Sequence, residues 1–102
     1  MASKAYVKVI TVRSETVVAI CDDDLLGKTL NDKDRGISFE VRESFFKGSK
    51  MELNRIIPYL ERASIANLIG SRVVKKAVEK GFIDPTAVIE IAGIPHAQLV
   101  KI

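Results

Sequence analysis

Ser64-Ile65-Ala66-Asn67-Leu68-Ile69-Gly70-Ser71-Arg72-Val73-Val74-Lys75-Lys76-Ala77-Val78-Glu79-Lys80 organises the chain. At about 100° per residue, Ala66, Ile69, Gly70, Val73, Val74 and Ala77 gather on one side of a helix. Arg72, Lys75, Lys76, Glu79 and Lys80 gather on the other. The spacing predicts one amphipathic helix over 64–80, capped by Ser64 and stopped by Gly81. Gly70 would then lie on the buried face, at a cost of about 1 kcal/mol relative to alanine. A second backbone crossing closely explains it; a ligand laid against the helix is the alternative. The outer face, four cations to one acid, suits contact with phosphates. It equally suits a solvated helix face with lysines at the favourable end of the dipole.

Upstream, Ser49-Lys50-Met51-Glu52 has the form of a capping box, so a first helix is expected there. Met51, Leu53, Ile56, Ile57 and Leu60 would be its apolar set, and Pro58 should kink or split it. Before that, Ile37-Ser38-Phe39-Glu40-Val41-Arg42 alternates as a strand does, with Ile37, Phe39 and Val41 inward. Tyr6–Arg13 and Thr16–Cys21 read as two strands joined by a turn at Ser14-Glu15. The second is apolar on both faces, so it belongs near the centre of a sheet. Asp22–Gly27 reads as one helical turn and Leu30–Gly36 as a polar loop. Downstream, Asp84-Pro85 marks a turn. Val88–Ala92 and Gln98–Ile102 read as strands joined by a loop, Gly93-Ile94-Pro95-His96. Strands, then helices, then strands define an α+β class. The expectation is a single domain over 1–102 in the order ββ(short α)βααββ. It has a small mixed or antiparallel sheet of about five strands, with two main helices packed on one face.

At 102 residues, 47% hydrophobic and 28% charged, the chain has an ordinary globular composition. Its single cysteine, Cys21, excludes an intrachain disulfide, and with the single His96 it excludes a multi-histidine or Cys-rich metal site in one chain. Cys21 is expected to pack inside as a small hydrophobe. No apolar run approaches the ~20 residues of a membrane span, and no signal peptide is expected at Met1-Ala2-Ser3-Lys4. The formal charge is +3, with the excess of bases at the two ends and a modest excess of acids over 22–48. That balance permits an RNA partner without demanding one and shows no preference for DNA.

Candidate chemistry is sparse. His96 could act as an acid or base, could donate to phosphate, or could hydrogen-bond a neighbouring strand. Asp22, Asp23 and Asp24 point different ways on a turn, and nothing nearby completes a metal cage. Leu26-Gly27-Lys28-Thr29 has the ending of a phosphate-binding loop, but the full pattern needs glycine where this chain has Asp22. Phe45 and Phe46 could stack on bases, although they fit core or interface packing better. No metal and no cofactor is expected.

Tyr6-Val7-Lys8-Val9, Ala19-Ile20-Cys21-Asp22 through Leu26-Gly27-Lys28-Thr29, Ile65-Ala66-Asn67-Leu68-Ile69-Gly70 and Gly93-Ile94-Pro95-His96-Ala97-Gln98-Leu99-Val100 together resemble an archaeal family. It is the domain of unknown function numbered four hundred and twenty-four, and the resemblance covers nearly the whole chain. It implies a small, single-domain, cytoplasmic protein with a role around the ribosome and no established activity. The motif positions here are Lys28, Asn67, Gly70, Gly93, Pro95, His96 and Gln98. The leading expectation is therefore a noncatalytic module of archaeal translation or ribosome biogenesis. Ribosomal RNA or ribosomal and translation proteins would be its partners, with Arg72, Lys75, Lys76 and Lys80 on phosphates. The alternatives are a protein–protein module without RNA contact, and a small enzyme whose pocket joins His96, Asn67 and Lys28.

Overall fold

β-Branched residues fill the first two strands, and these pair as an antiparallel hairpin. β1 is Lys4–Val12 and β2 is Glu15–Asp22. Val12 lies opposite Glu15, so the turn is Arg13-Ser14, one residue earlier than expected. Arg13 takes the positive φ of 57° that such a tight turn requires. The computed structural model describes residues 3–102; the expected leaderless start at Met1-Ala2 lies outside them.

After β2 comes a single 3-10 turn, Asp23–Leu25, close to the expected helical turn. A small hairpin follows: β3, Thr29–Asp32, and β4, Ile37–Glu40. β3 occupies part of the stretch expected as a polar loop. The short helix α1, Glu43–Phe46, comes next, then β5, Ser49–Glu52. β5 overturns the capping-box expectation. Ser49 and Glu52 are partners of Val7 and Lys4 in an antiparallel edge pairing with β1, and tertiary pairing outweighs the local helix signal. Helix begins only after this strand, as a 3-10 turn over Leu53–Ile56 that continues into α2, Ile57–Arg62. Pro58 sits in the first turn of α2, where its missing N–H costs nothing, so the expected split falls just ahead of it.

The predicted helix over 64–80 is two elements. Ile65–Ile69 is a strand, β6, and only Ser71–Glu79 is helix, α3. Ser64 caps nothing: its hydroxyl donates to the Thr16 carbonyl at 3.0 Å and accepts from the Thr16 N–H at 2.8 Å, fastening the ends of β2 and β6. Gly81 does end α3, as expected. A 3-10 turn, Pro85–Ala87, leads to β7, Ile89–Ile91, and β8, Ile94–Val100. The turn between them is Ala92-Gly93, with φ of 52° and 80°. Ile94, Pro95 and His96 are therefore strand residues, not the loop expected from the sequence.

The main sheet has six strands in the order β5-β1-β2-β6-β8-β7. β2 and β6 run parallel, and every other neighbouring pair is antiparallel. The class is mixed α+β; among the described residues eight strands form where about five were expected, and the expected strand at Ile37–Arg42 stands outside the main sheet, paired with β3 as a separate hairpin. Strand alternation divides the sheet into two faces. Val18, Ile20, Ala66, Leu68 and Ala97 point to α2 and α3, where Ile56, Leu60, Val73, Val74 and Ala77 complete the larger core. Ala19, Cys21 and Ile69 point the other way, beneath Leu25, Val41 and Phe46. The helices thus lie on one face as expected, while the β3–β4 hairpin and α1 cover part of the opposite face. At about 1.5–3 kcal/mol for each fully buried large apolar side chain, both layers contribute. Among the described residues no helix is long and apolar enough to cross a membrane.

Candidate functional site

Asp22 closes β2 and is 3% exposed. Its carboxylate accepts hydrogen bonds from the backbone N–H of Arg72 at 3.1 Å and of Val73 at 2.9 Å. These are unpaired donors of the first turn of α3, so a strand supplies the helix with its cap. Gly70 makes the approach feasible. Its φ is 127°, and a Cβ there would sit 2.4 Å from Asp22 Cγ. The crossing that explains Gly70 is therefore a carboxylate against a strand-to-helix corner, not backbone against a helix face. Burial pushes the Asp22 carboxyl above its usual range, against the two N–H donors and Arg72, which favour the charge.

Arg72 folds over the same corner. Its Nη2 donates to Asp23 Oδ1 at 2.9 Å and to Asp24 Oδ1 at 3.3 Å, and its Nε lies 3.8 Å from Asp22 Oδ2. The acidic triplet is thus engaged with an arginine and a helix terminus. Arg72 drops out of the expected basic stripe. Lys75 and Lys80 remain exposed and Lys76 half-buried, none of them ion-paired among the described residues.

The family-motif positions separate into three groups. Gly70 and Pro95 meet at the end of β6, where the Gly70 N–H donates to the Pro95 carbonyl at 2.9 Å. Gly93 shapes the β7–β8 turn, and the Lys28 carbonyl accepts from the Val41 N–H at 2.8 Å, with its residue exposed. Asn67, His96 and Gln98 come together. Asn67 lies opposite Gln98 and Ile69 opposite His96 on adjacent strands, with Asn67, Gln98 and His96 on the hairpin-covered face. These three line a cavity of about 260 Å³ with Phe39, Phe45 and Phe46. Lys28 is not among its lining residues, so the expected enzyme trio is not assembled there. Burial lowers the pKa of the half-buried His96, which favours the neutral imidazole. Its ring lies 5.4 Å from that of Phe39. Phe46 is a core residue as expected, whereas Phe45 is only partly buried and packs edge-on against it at 5.1 Å. Cys21 is fully buried, its thiol pushed up to about 12 by burial and then by the neighbouring Asp22 charge.

A second concavity escaped the sequence reading. Between edge strand β5 and α2 runs an open groove of about 590 Å³ lined by Lys50, Asn54, Arg55, Tyr59 and Arg62, with no carboxylate in its lining. Arg55, Tyr59 and Arg62 are spaced i, i+4, i+7, which places them on one face of the continuous 3-10 and α segment. The spacing of Arg55, Tyr59 and Arg62 is the signal the sequence carries for this face, beside the apolar Ile56 and Leu60 of the same segment. Ion pairs among the described residues engage Arg42, Lys50 and Arg72, and neither Arg55 nor Arg62. Lys50 is held loosely, 3.7 Å from Asp23 and 5.7 Å above the Tyr6 ring. The arrangement is an open groove that sets Arg55 and Arg62 beside one aromatic side chain, Tyr59.

A six-stranded mixed sheet with helices on one face and a small hairpin on the other defines a small mixed α+β domain. Residues 10–102 match the family model described as "Protein of unknown function (DUF424)", and the chain belongs to that family. Among solved structures it is similar to an uncharacterized conserved protein from Methanopyrus kandleri. The TM-score is 0.75 at 25% identity, over 97% of this chain and 95% of that one. No curated protein matches it.

Proposed function

We propose that the protein is a noncatalytic RNA- or ribosome-associated binding module of archaeal translation or ribosome biogenesis, working in the cytoplasm. The observation that carries the reading is the groove: Arg55 and Arg62 flank Tyr59 on one helical face with no acid in the lining, while Lys50 lines its edge with its ammonium turned to Asp23 and the Tyr6 ring. Arginine forks take phosphate oxygens in pairs, and a tyrosine ring offers a stacking surface to an unpaired base. Ribosomal RNA presents both. Lys75, Lys76 and Lys80 on α3 supply secondary contacts, while Arg72 is reserved for the acidic corner.

Binding of structured ribosomal RNA at low salt tests this, with paired charge reversals. Arg55→Glu with Arg62→Glu should weaken binding at least about tenfold, and Lys75→Glu with Lys80→Glu should weaken it less. Affinity within about twofold of the native protein after the arginine reversal rejects the groove.

A protein–protein reading has one observation of its own. Val12 and Val100, 51% and 62% exposed, lie beyond the hairpin's cover on the cavity face of the sheet. A pull-down that survives nuclease and high salt, and is lost on Val100→Asp, would favour it over RNA.

A further inference from the structure

The cavity on the hairpin side of the sheet is a separate surface with unspent hydrogen-bonding capacity. Gln98 Nε2 donates to Asn67 Oδ1 at 2.8 Å. That single bond leaves the Asn67 amide nitrogen free to donate and the Gln98 carbonyl oxygen free to accept; neither bonds another described residue. Exchanging nitrogen and oxygen in both amides gives the same result, one free donor beside one free acceptor. His96 adds a further donor and acceptor, since its ring nitrogens also bond no described residue.

The walls are flat and apolar. Phe39 and His96 stand tilted 55° to one another, and Phe45 packs edge-on against Phe46. The charges at the rim cancel, because Arg42 Nε lies 3.4 Å from Glu40 Oε1. A neutral ligand is favoured over a free anion. Sites for drug-sized molecules run about 300–1,000 Å³, so a cavity of about 260 Å³ holds one ring system. A plain hydrocarbon would leave the amide donor and acceptor without partners. A planar heteroaromatic ring with adjacent donor and acceptor on one edge satisfies every wall.

We infer that this cavity binds a single nucleobase, its faces against Phe39 and Phe45 and its hydrogen-bonding edge on the Asn67–Gln98 amide pair. Asparagine and glutamine amides are the standard partners of such edges. The base can come from a free nucleoside or nucleotide, or from an unpaired position in an RNA strand. The site stands apart from the β5–α2 groove and does not depend on its binding phosphate.

The test is a titration of the full chain, following its side-chain amide signals by 15N–1H NMR. Adenosine, uridine and single-stranded hexanucleotides of each are the probes, with ribose 5-phosphate as control. The Asn67 and Gln98 amide signals should shift saturably with at least one nucleoside, with Kd at or below about 1 mM. Gln98→Leu, at an exposed position, should weaken that binding at least about tenfold with an unchanged melting temperature. Phe45→Leu should weaken it independently. Equal affinity for nucleoside and oligonucleotide assigns a free ligand; a much tighter oligonucleotide assigns a base within a strand. Failure of all four base-bearing probes to shift these amides overturns the inference. So does ribose 5-phosphate shifting them equally, or Gln98→Leu and Phe45→Leu both binding as the native protein does. Loss of RNA binding through the groove leaves all these outcomes unaffected.

Discussion

Replacing Asp22 with alanine removes the acceptor that closes the first turn of α3. Two backbone donors, on Arg72 and Val73, then lose partners at 3.1 and 2.9 Å. Each buried donor left unpaired costs about 1–3 kcal/mol. The Arg72 side chain keeps Asp23 and Asp24 on the surface and adds little to the loss. Burial disfavours the Asp22 charge, so part of the cost is offset when the carboxylate no longer has to be desolvated. A net loss of about 2–3 kcal/mol follows, from a total stability of about 5–15 kcal/mol. For a domain of this size that lowers the melting temperature by about 10–20 °C, read by circular dichroism. Gly70→Ala sharpens the test. A Cβ there meets the carboxylate at 2.4 Å, and the φ of 127° is itself strained for alanine by about 1–3 kcal/mol. In the Asp22→Ala background the clash is gone and only the strain remains, so the two losses should be less than additive by at least about 1 kcal/mol. An Asp22→Ala protein melting within about 4 °C of native, or additivity within about 0.5 kcal/mol, refutes the capping account.

Other consequences follow from individual side chains. His96 has a folded-state pKa below the ordinary 6.5, so the unfolded chain binds more protons as the pH falls through that value. Stability should be level above 6.5 and decline below it; a His96→Gln variant should lack the decline, and an identical urea-midpoint profile for both proteins would contradict this. Asp22 has the opposite sign, because its folded pKa lies above 3.8: protonation near there favours the folded state, and Asp22→Asn should remove that contribution. Cys21, with its thiol near 12, should react with a thiol reagent at pH 8 only at the rate of unfolding, and immediate labelling would show the core to be open. Ser64→Ala breaks the paired bonds with Thr16 and should cost about 1–2 kcal/mol in urea denaturation; a neutral result would contradict the fastening role.

The hairpin of β1 and β2, the α+β class and the helical end at Gly81 were legible because periodicity and turn chemistry there are local. The 64–80 stretch was not. Ala66, Ile69, Val73, Val74 and Ala77 keep helical spacing straight across the corner at Gly70, so the apolar pattern runs on where the backbone does not. Ile65–Ile69 is a five-residue, nearly all-apolar run bounded by Ser64 and Gly70, equally the signature of a strand buried on both faces. What settles the choice is the pairing of β6 with β2 and β8, which no local window contains. Ser49 and Glu52 misled for the same reason, their helix-cap spacing giving way to pairing with β1. At the site, Asn67, His96 and Gln98 were picked out by family motif, but their convergence depends on strand register. The fate of Arg72 was hidden in the same way, since the acids that hold it lie about fifty residues away in sequence.

The salt dependence of RNA binding tests the central claim most directly. Each phosphate neutralised contributes about 0.7–0.9 to the slope of log Kobs against log salt, so the two groove arginines account for about −1.4 to −1.8 of the native slope and the α3 lysines for the rest. Arg55→Gln with Arg62→Gln should flatten that slope by about 1.4–1.8 while the protein stays folded. A native protein that binds no structured ribosomal RNA at low salt, or a double variant with the native slope, contradicts the account.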